Sequence, residues 1–154
     1  MIKRKIDRYL ADFFDTHKKA LMLTGARQIG KTYSIRRFGH EHFERFVEIN
    51  FIENPGLVKV FSKAKNCQDI FLRLSTVTSQ DLIKGNTLVF FDEVQECPEI
   101  VTAIKFLGEE GSYRYILSGS LLGGEIKNLR SAPVGYLACA AAVSSTSWSV
   151  LVSP

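Results

Sequence analysis

Ile2, Ile6, Tyr9, Leu10 and Phe13 recur at helical spacing, so the start of the chain presents one apolar stripe and is predicted to be an amphipathic helix over residues 1–16 that packs on the core of the domain. Residues 20–24 form a short apolar run directly before a glycine-containing turn, and residues 31–38 then carry a helical pattern that Gly39 is expected to close. The predicted order is therefore strand, loop, helix.

Phe46, Val47, Ile49 and Phe51 make a second β-rich stretch, and Asn54 with Pro55 supplies a cap and first-turn proline for a helix carrying Leu57, Val58 and Phe61. Cys67, Ile70, Phe71, Leu74 and Val77 keep helical spacing. After the turn at Lys84, Gly85 and Asn86 comes an unbroken apolar run, Leu88, Val89, Phe90 and Phe91, whose lack of alternation suits a strand buried on both faces. Pro98 opens a helix through Val101, Ile104 and Leu107, and residues 113–118 supply a fourth strand. Strands alternating with helices predict an α/β three-layer domain, a parallel sheet with right-handed crossovers and helices on both faces. The core is expected over residues 17–137. Residues 138–154 are dominated by small side chains with no charge and do not read as a continuation of that core.

The bulk numbers narrow this reading. At 154 residues the chain fits one domain, and 45% hydrophobic with 23% charged residues is a globular composition that buries a core. The net charge of +4 is mild, and its short clusters, Lys3-Arg4-Lys5 and Arg36-Arg37, read as solvated helix faces rather than a nucleic-acid groove, because no aromatic is interleaved with them. Cys67, Cys97 and Cys139 are odd in number and widely spaced, which fits reduced thiols better than a disulfide framework or a zinc site. No apolar run approaches the roughly 20 residues that cross a bilayer, and no signal peptide is recognisable. A cytoplasmic protein with no membrane contact is expected.

Gly25-Ala26-Arg27-Gln28-Ile29-Gly30-Lys31-Thr32, with Tyr33 next in the chain, matches the pattern G-x-x-x-x-G-K-[ST] and falls between a predicted buried strand and a predicted helix, where a phosphate loop belongs. Its glycines let consecutive N–H groups face an anion, and the helix start adds its positive end. Lys31 supplies a mobile charge for the β- and γ-phosphates, and the Thr32 hydroxyl completes a Mg2+ shell. A nucleoside triphosphate with Mg2+, foremost ATP, is the expected ligand.

The apolar strand at residues 88–91 ends in Asp92 and Glu93. Beside a phosphate loop, the first carboxylate is placed to reach Mg2+ and the second to take a proton from an attacking water. A base of this kind favours ATP hydrolysis over phosphoryl transfer to a metabolite, the weaker reading. Ser118, at the carboxyl end of the fourth strand, is positioned to hold that water or to sense the γ-phosphate, with Ser120 as its substitute.

Together, GARQIGKT, LVFFDEVQ and YILSGS resemble the AAA-type P-loop ATPases of the AAA_14 group, ATP-binding proteins that usually carry a DUF4143 region behind the ATPase core. The resemblance covers about residues 1–137 and rests, at subfamily level, on Arg27-Gln28, Asp92-Glu93-Val94-Gln95 and Ser118-Gly119-Ser120. It implies an AAA-like sheet in which the strand bearing the metal carboxylate does not adjoin the loop strand. It also implies a Mg2+-dependent ATPase whose turnover moves an attached or partner domain, with a protein partner or a second copy as its counterpart. The alternative is a nucleotide-dependent switch, nucleic-acid associated, with little turnover. Family members are longer, and the small-residue tail is expected to reflect a truncation or frameshift that leaves the last core strand absent or improvised. Arg27, Arg114 and Arg130 are candidates for a charge-neutralising arginine, though each reads first as an ordinary surface or salt-bridged residue.

Overall fold

The computed structural model describes residues 5–16, 20–25, 31–119, 137–144 and 147–152. Its helices are α1 (Lys5–Thr16), α2 (Lys31–His42), α3 (Pro55–Ser62), α4 (Cys67–Val77) and α5 (Pro98–Glu110). Its strands are β1 (Ala20–Gly25), β2 (Arg45–Asn50), β3 (Thr87–Asp92), β4 (Arg114–Gly119), β5 (Leu137–Ser144) and β6 (Ser147–Val152). They form one sheet in the order β2-β3-β4-β1-β5-β6.

Successive side chains of a strand point to opposite faces, and β3, buried along its whole length, serves both. Leu88 and Phe90 pack with Leu21 and Leu23 of β1, Ile116 of β4, and the apolar stripes of α1 (Ile6, Leu10, Phe13) and α2 (Ile35, Phe38). Val89 and Phe91 pack on the other face with Met22, Ile49, Leu117, and Phe61, Ile70 and Ile104 of α3, α4 and α5. On that second face the rings of Phe51, Phe91 and Tyr115 stack in a row, with centroids 6.1 and 6.5 Å apart and nearly parallel planes. The architecture is thus a three-layer α/β fold, with helices on both faces of a largely parallel sheet.

β1 adjoins β4 and β5, and β4 separates it from β3. The carboxylate strand therefore does not neighbour the loop strand, as the resemblance implied.

Two sequence expectations change. Gly39 does not close α2, which runs on to His42. A Cβ at Gly39 would overlap the ring of Phe46 on β2, so this glycine lets a strand side chain press against the helix. The tail, where the last core strand was expected to be absent or improvised, supplies β5 parallel to β1, in register from Ala20↔Leu137 to Gly25↔Ala142, and β6 antiparallel to β5. An alanine-rich run without period-2 alternation carries no strand signal, since alanine is depleted in strands and the pairing comes from β1.

Arg36 and Arg37 also differ from plain solvated positions. Arg36 grips Glu48 of β2 with three contacts, Nε to Oε1 at 2.8 Å, Nε to Oε2 at 3.1 Å and Nη2 to Oε2 at 3.0 Å. Arg37 pairs with Asp7 and ties α2 to α1.

Candidate functional site at the carboxyl edge of the sheet

β1 ends at Gly25 and α2 begins at Lys31, so the two ends of the phosphate-loop pattern sit at a strand end and a helix start. Ala26, Arg27, Gln28, Ile29 and Gly30 lie outside the described residues, as do the side chain of Lys31, Ser120 and Arg130. Thr32 is half-buried in the first turn of α2, whose leading N–H groups have no partners within the helix and favour an anion. Tyr33 is exposed, and the Arg37 guanidinium lies 5.8 Å from its ring centroid.

Asn50, Asp92 and Ser118 form a row across β2, β3 and β4, because the register pairs Asn50 with Asp92 and Asp92 with Ser118. Strand alternation puts Asp92 on the face of Leu88 and Phe90, and Ser118 on the face of Ile116, which is the face that α1 and α2 cover. The row therefore lies at the carboxyl edge of the sheet on the side of α2.

Asp92 is only 8% exposed, too buried for a carboxylate that lacks donors. Its Oδ1 accepts from the Glu93 N–H at 2.9 Å and its Oδ2 from the Asn50 side-chain amide at 3.3 Å. The orientation of Asn50 is set by its other contacts: its Oδ1 accepts from the Ile52 and Glu53 N–H groups at 2.9 and 3.0 Å, which turns the amide nitrogen toward Asp92. Sequence reasoning missed this residue, which falls without comment inside the β-rich stretch that ends at Phe51.

Glu93 has φ 58° and ψ 47°, the one non-glycine residue of positive φ among the described residues. The left-handed backbone ends β3 abruptly and leads into a 3-10 turn, Val94–Glu96, anchored by the buried Val94. The Gln95 amide nitrogen donates to Glu93 Oε2 at 2.5 Å.

Ser118 is almost wholly buried, and its Oγ has no hydrogen-bond partner among the described residues. An orphaned hydroxyl beside a buried carboxylate is what a site built for an absent polar ligand would contain. Among the described residues no cluster of three or more His, Cys, Asp or Glu side chains is present. Mg2+ takes one or two protein oxygens together with phosphate oxygens and water rather than an all-protein cage. Thr32, in the first turn of α2, and the buried Asp92 are the candidate oxygens for such an ion.

Arg114 opens β4, and the four-residue rise to Ser118 puts it about 13 Å away along the strand, at the opposite edge of the sheet. This removes it as a charge-neutralising group within the same site.

A family model described as an AAA domain matches residues 17–144, the stretch from just before β1 to the end of β5. The chain belongs to the AAA domain family. It is a nucleotide-binding protein of AAA type. Among solved structures it is similar to Drosophila ORC bound to DNA, with TM-score 0.55 and 15% identity over 87% of this chain and 41% of that one. It is also similar to C. elegans PCH-2, with TM-score 0.45 and 14% identity over 89% of this chain and 40% of that one. The AAA domain here thus spans about two fifths of the length of these structures. Comparison with curated proteins finds no match. Among the described residues no helix is long and apolar enough to cross a membrane.

Proposed function

We propose that this AAA domain binds ATP with Mg2+ and hydrolyses it, using the cycle to drive a conformational change in an attached or partner domain. The reading is carried by the row Asn50, Asp92 and Ser118, which stands on the α2 side of the sheet edge that also presents Gly25, Lys31 and Thr32. Residues 25–32 wrap the phosphates with their backbone, and Lys31 places its charge against the β- and γ-phosphates. Thr32 and Asp92 hold Mg2+, which neutralises charge on the phosphate oxygens. Glu93 takes the proton as the water oxygen bonds to the γ-phosphorus and the bond to the β-phosphate oxygen breaks. Ser118 offers its hydroxyl to that water or to the γ-phosphate. Asn50 donates to Asp92 and keeps its carboxylate turned into the site.

Arg36 and Arg37 hold Glu48 and Asp7, so the basic pair on α2 serves the fold and lends little to a nucleic-acid reading. Phosphate release from the purified chain with ATP and Mg2+, against the same reaction with chelator and with the Lys31→Ala variant, tests the proposal. Release that depends on both Mg2+ and Lys31 supports it. Tight ATP binding without any phosphate release would favour a nucleotide-dependent switch, and absent nucleotide binding would overturn both.

A further inference from the structure

From the contacts around the 3-10 turn we infer that Gln95 is a positioning residue for Glu93, holding the carboxylate by its side-chain amide in a slot that exists because residue 119 is glycine. This rests on the reading of Glu93 as the base.

Glu93 leaves β3 with a left-handed φ, and its carbonyl then accepts from the Glu96 N–H at 3.1 Å, closing the turn that brings Gln95 back alongside it. Val94, fully buried in the core under α5, pins the turn to the sheet. A free carboxylate at a strand exit samples several rotamers, and a base that must meet one water gains from losing them. The Gln95 amide nitrogen supplies that restraint through its contact with Glu93 Oε2 at 2.5 Å.

The other half of the Gln95 amide lies against β4. A Cβ built at Gly119 would stand 2.5 Å from Gln95 Oε1, with Val94 Cγ2 at 3.4 Å and Val94 N at 3.5 Å. Gly119 has no positive φ, so conformational freedom is not what asks for glycine here. The demand is room. β4 therefore supplies two neighbouring parts of the site: the hydroxyl of Ser118 and the vacancy of Gly119, into which the side chain that holds Glu93 fits. Because the atom in the way is the far end of a flexible side chain, a methyl group at position 119 would push the Gln95 amide aside rather than break the sheet.

The experiment measures single-turnover ATP hydrolysis, the ATP dissociation constant and the melting temperature for the full chain and for Gln95→Met, Gly119→Ala and Glu93→Gln, singly and combined. Gln95→Met keeps length and volume and removes the donor. It should slow hydrolysis by about tenfold or more, up to the whole contribution of about 10²- to 10⁴-fold that a general base makes, with ATP affinity and melting unchanged. Gly119→Ala should give the same slowing, and adding it to Gln95→Met should change little further. In the Glu93→Gln background, Gln95→Met should have no effect, since its influence runs through the carboxylate. Normal hydrolysis by both Gln95→Met and Gly119→Ala overturns the inference while leaving Glu93 as the base. Normal hydrolysis by Glu93→Gln removes the base assignment and this inference together. A rate loss in Gln95→Met that persists in full in the Glu93→Gln background assigns Gln95 a separate role and also overturns it.

Discussion

Ser118 of β4 lies directly across from Asp92 of β3, and the buried Ser118 hydroxyl has no hydrogen-bond partner among the described residues. Such a group costs about 1–3 kcal/mol of desolvation when nothing receives it. Ser118→Ala is therefore expected to leave the nucleotide-free protein as stable or up to about 1 kcal/mol more stable. The same change should slow ATP turnover and reduce the extra stability that ATP with Mg2+ confers. Melting with and without nucleotide checks both halves, and a variant that simply melts lower would make Ser118 a structural residue.

Lys31 begins α2 at the end of the phosphate-loop pattern. A charge-assisted hydrogen bond is worth about 1.5–3 kcal/mol, and about 1.4 kcal/mol corresponds to a tenfold change in affinity. Lys31→Ala should thus weaken ATP binding by roughly 10- to 100-fold, measured by direct titration. Unaltered affinity would remove the phosphate loop from the reading.

Much of the fold was legible because apolar periodicity reports burial. Ile6, Leu10 and Phe13 gave α1 its stripe, and the unbroken run ending at Phe91 gave the doubly buried β3. Gly39 misled because glycine ends helices through its backbone freedom, yet here it answers a contact with Phe46, a strand residue that no local pattern relates to it. β5 was hard to read because its pairing with β1 is a relation between distant segments that a run of alanines does not announce, and β6 pairs with β5 alone. Within the candidate site, the loop pattern and Asp92-Glu93 stood out in sequence as candidates because they match a pattern of neighbouring residues. Asn50 did not, since its place beside Asp92 comes from the β2–β3 register alone.

Cys97, fully buried at the start of α5, has its thiol pushed up to about 12, chiefly by burial and then by the nearby Glu99 carboxylate. A thiol whose folded value lies above its unfolded one near 8.5 contributes stability that is whole below the unfolded value and is lost as pH rises toward the folded one. Stability should therefore fall between about pH 9 and 12, and Cys97→Ala should flatten that fall. Tyr115, also raised by burial, keeps its own share of the alkaline loss in the variant. Denaturant unfolding at a series of pH values measures the difference, and equal slopes would place the thiol in contact with water.

Gly39 sits in the interior of α2, where alanine is favoured over glycine by about 0.5–1 kcal/mol. The Cβ of Gly39→Ala would overlap the Phe46 ring, and overpacking of this kind costs about 1–3 kcal/mol. The steric effect is the larger, so the variant should melt lower despite the better helix former. Pairing it with Phe46→Leu should recover part of the loss, whereas a rise in melting temperature for the single variant would mean that the ring moves away without cost.

Glu93 unites a strained backbone with the proposed base, and three substitutions separate the two properties. Glu93→Gln keeps the shape and the backbone but cannot accept a proton, so ATP should stay bound while turnover falls by about 10²- to 10⁴-fold. Glu93→Ala and Glu93→Gly both lose the side chain and should be equally inactive. They differ in how they meet φ 58°. Alanine keeps a left-handed strain of about 1–2 kcal/mol, while glycine relieves it and loses about 0.4–1 kcal/mol through the greater freedom of its unfolded chain. The strain is the larger of the two, so Glu93→Gly should melt above Glu93→Ala. If instead glycine melts lower, the turn after β3 is not held in the left-handed region in solution. If Glu93→Gln hydrolyses ATP at the wild-type rate, the proton goes to another group and the strained residue serves the turn alone.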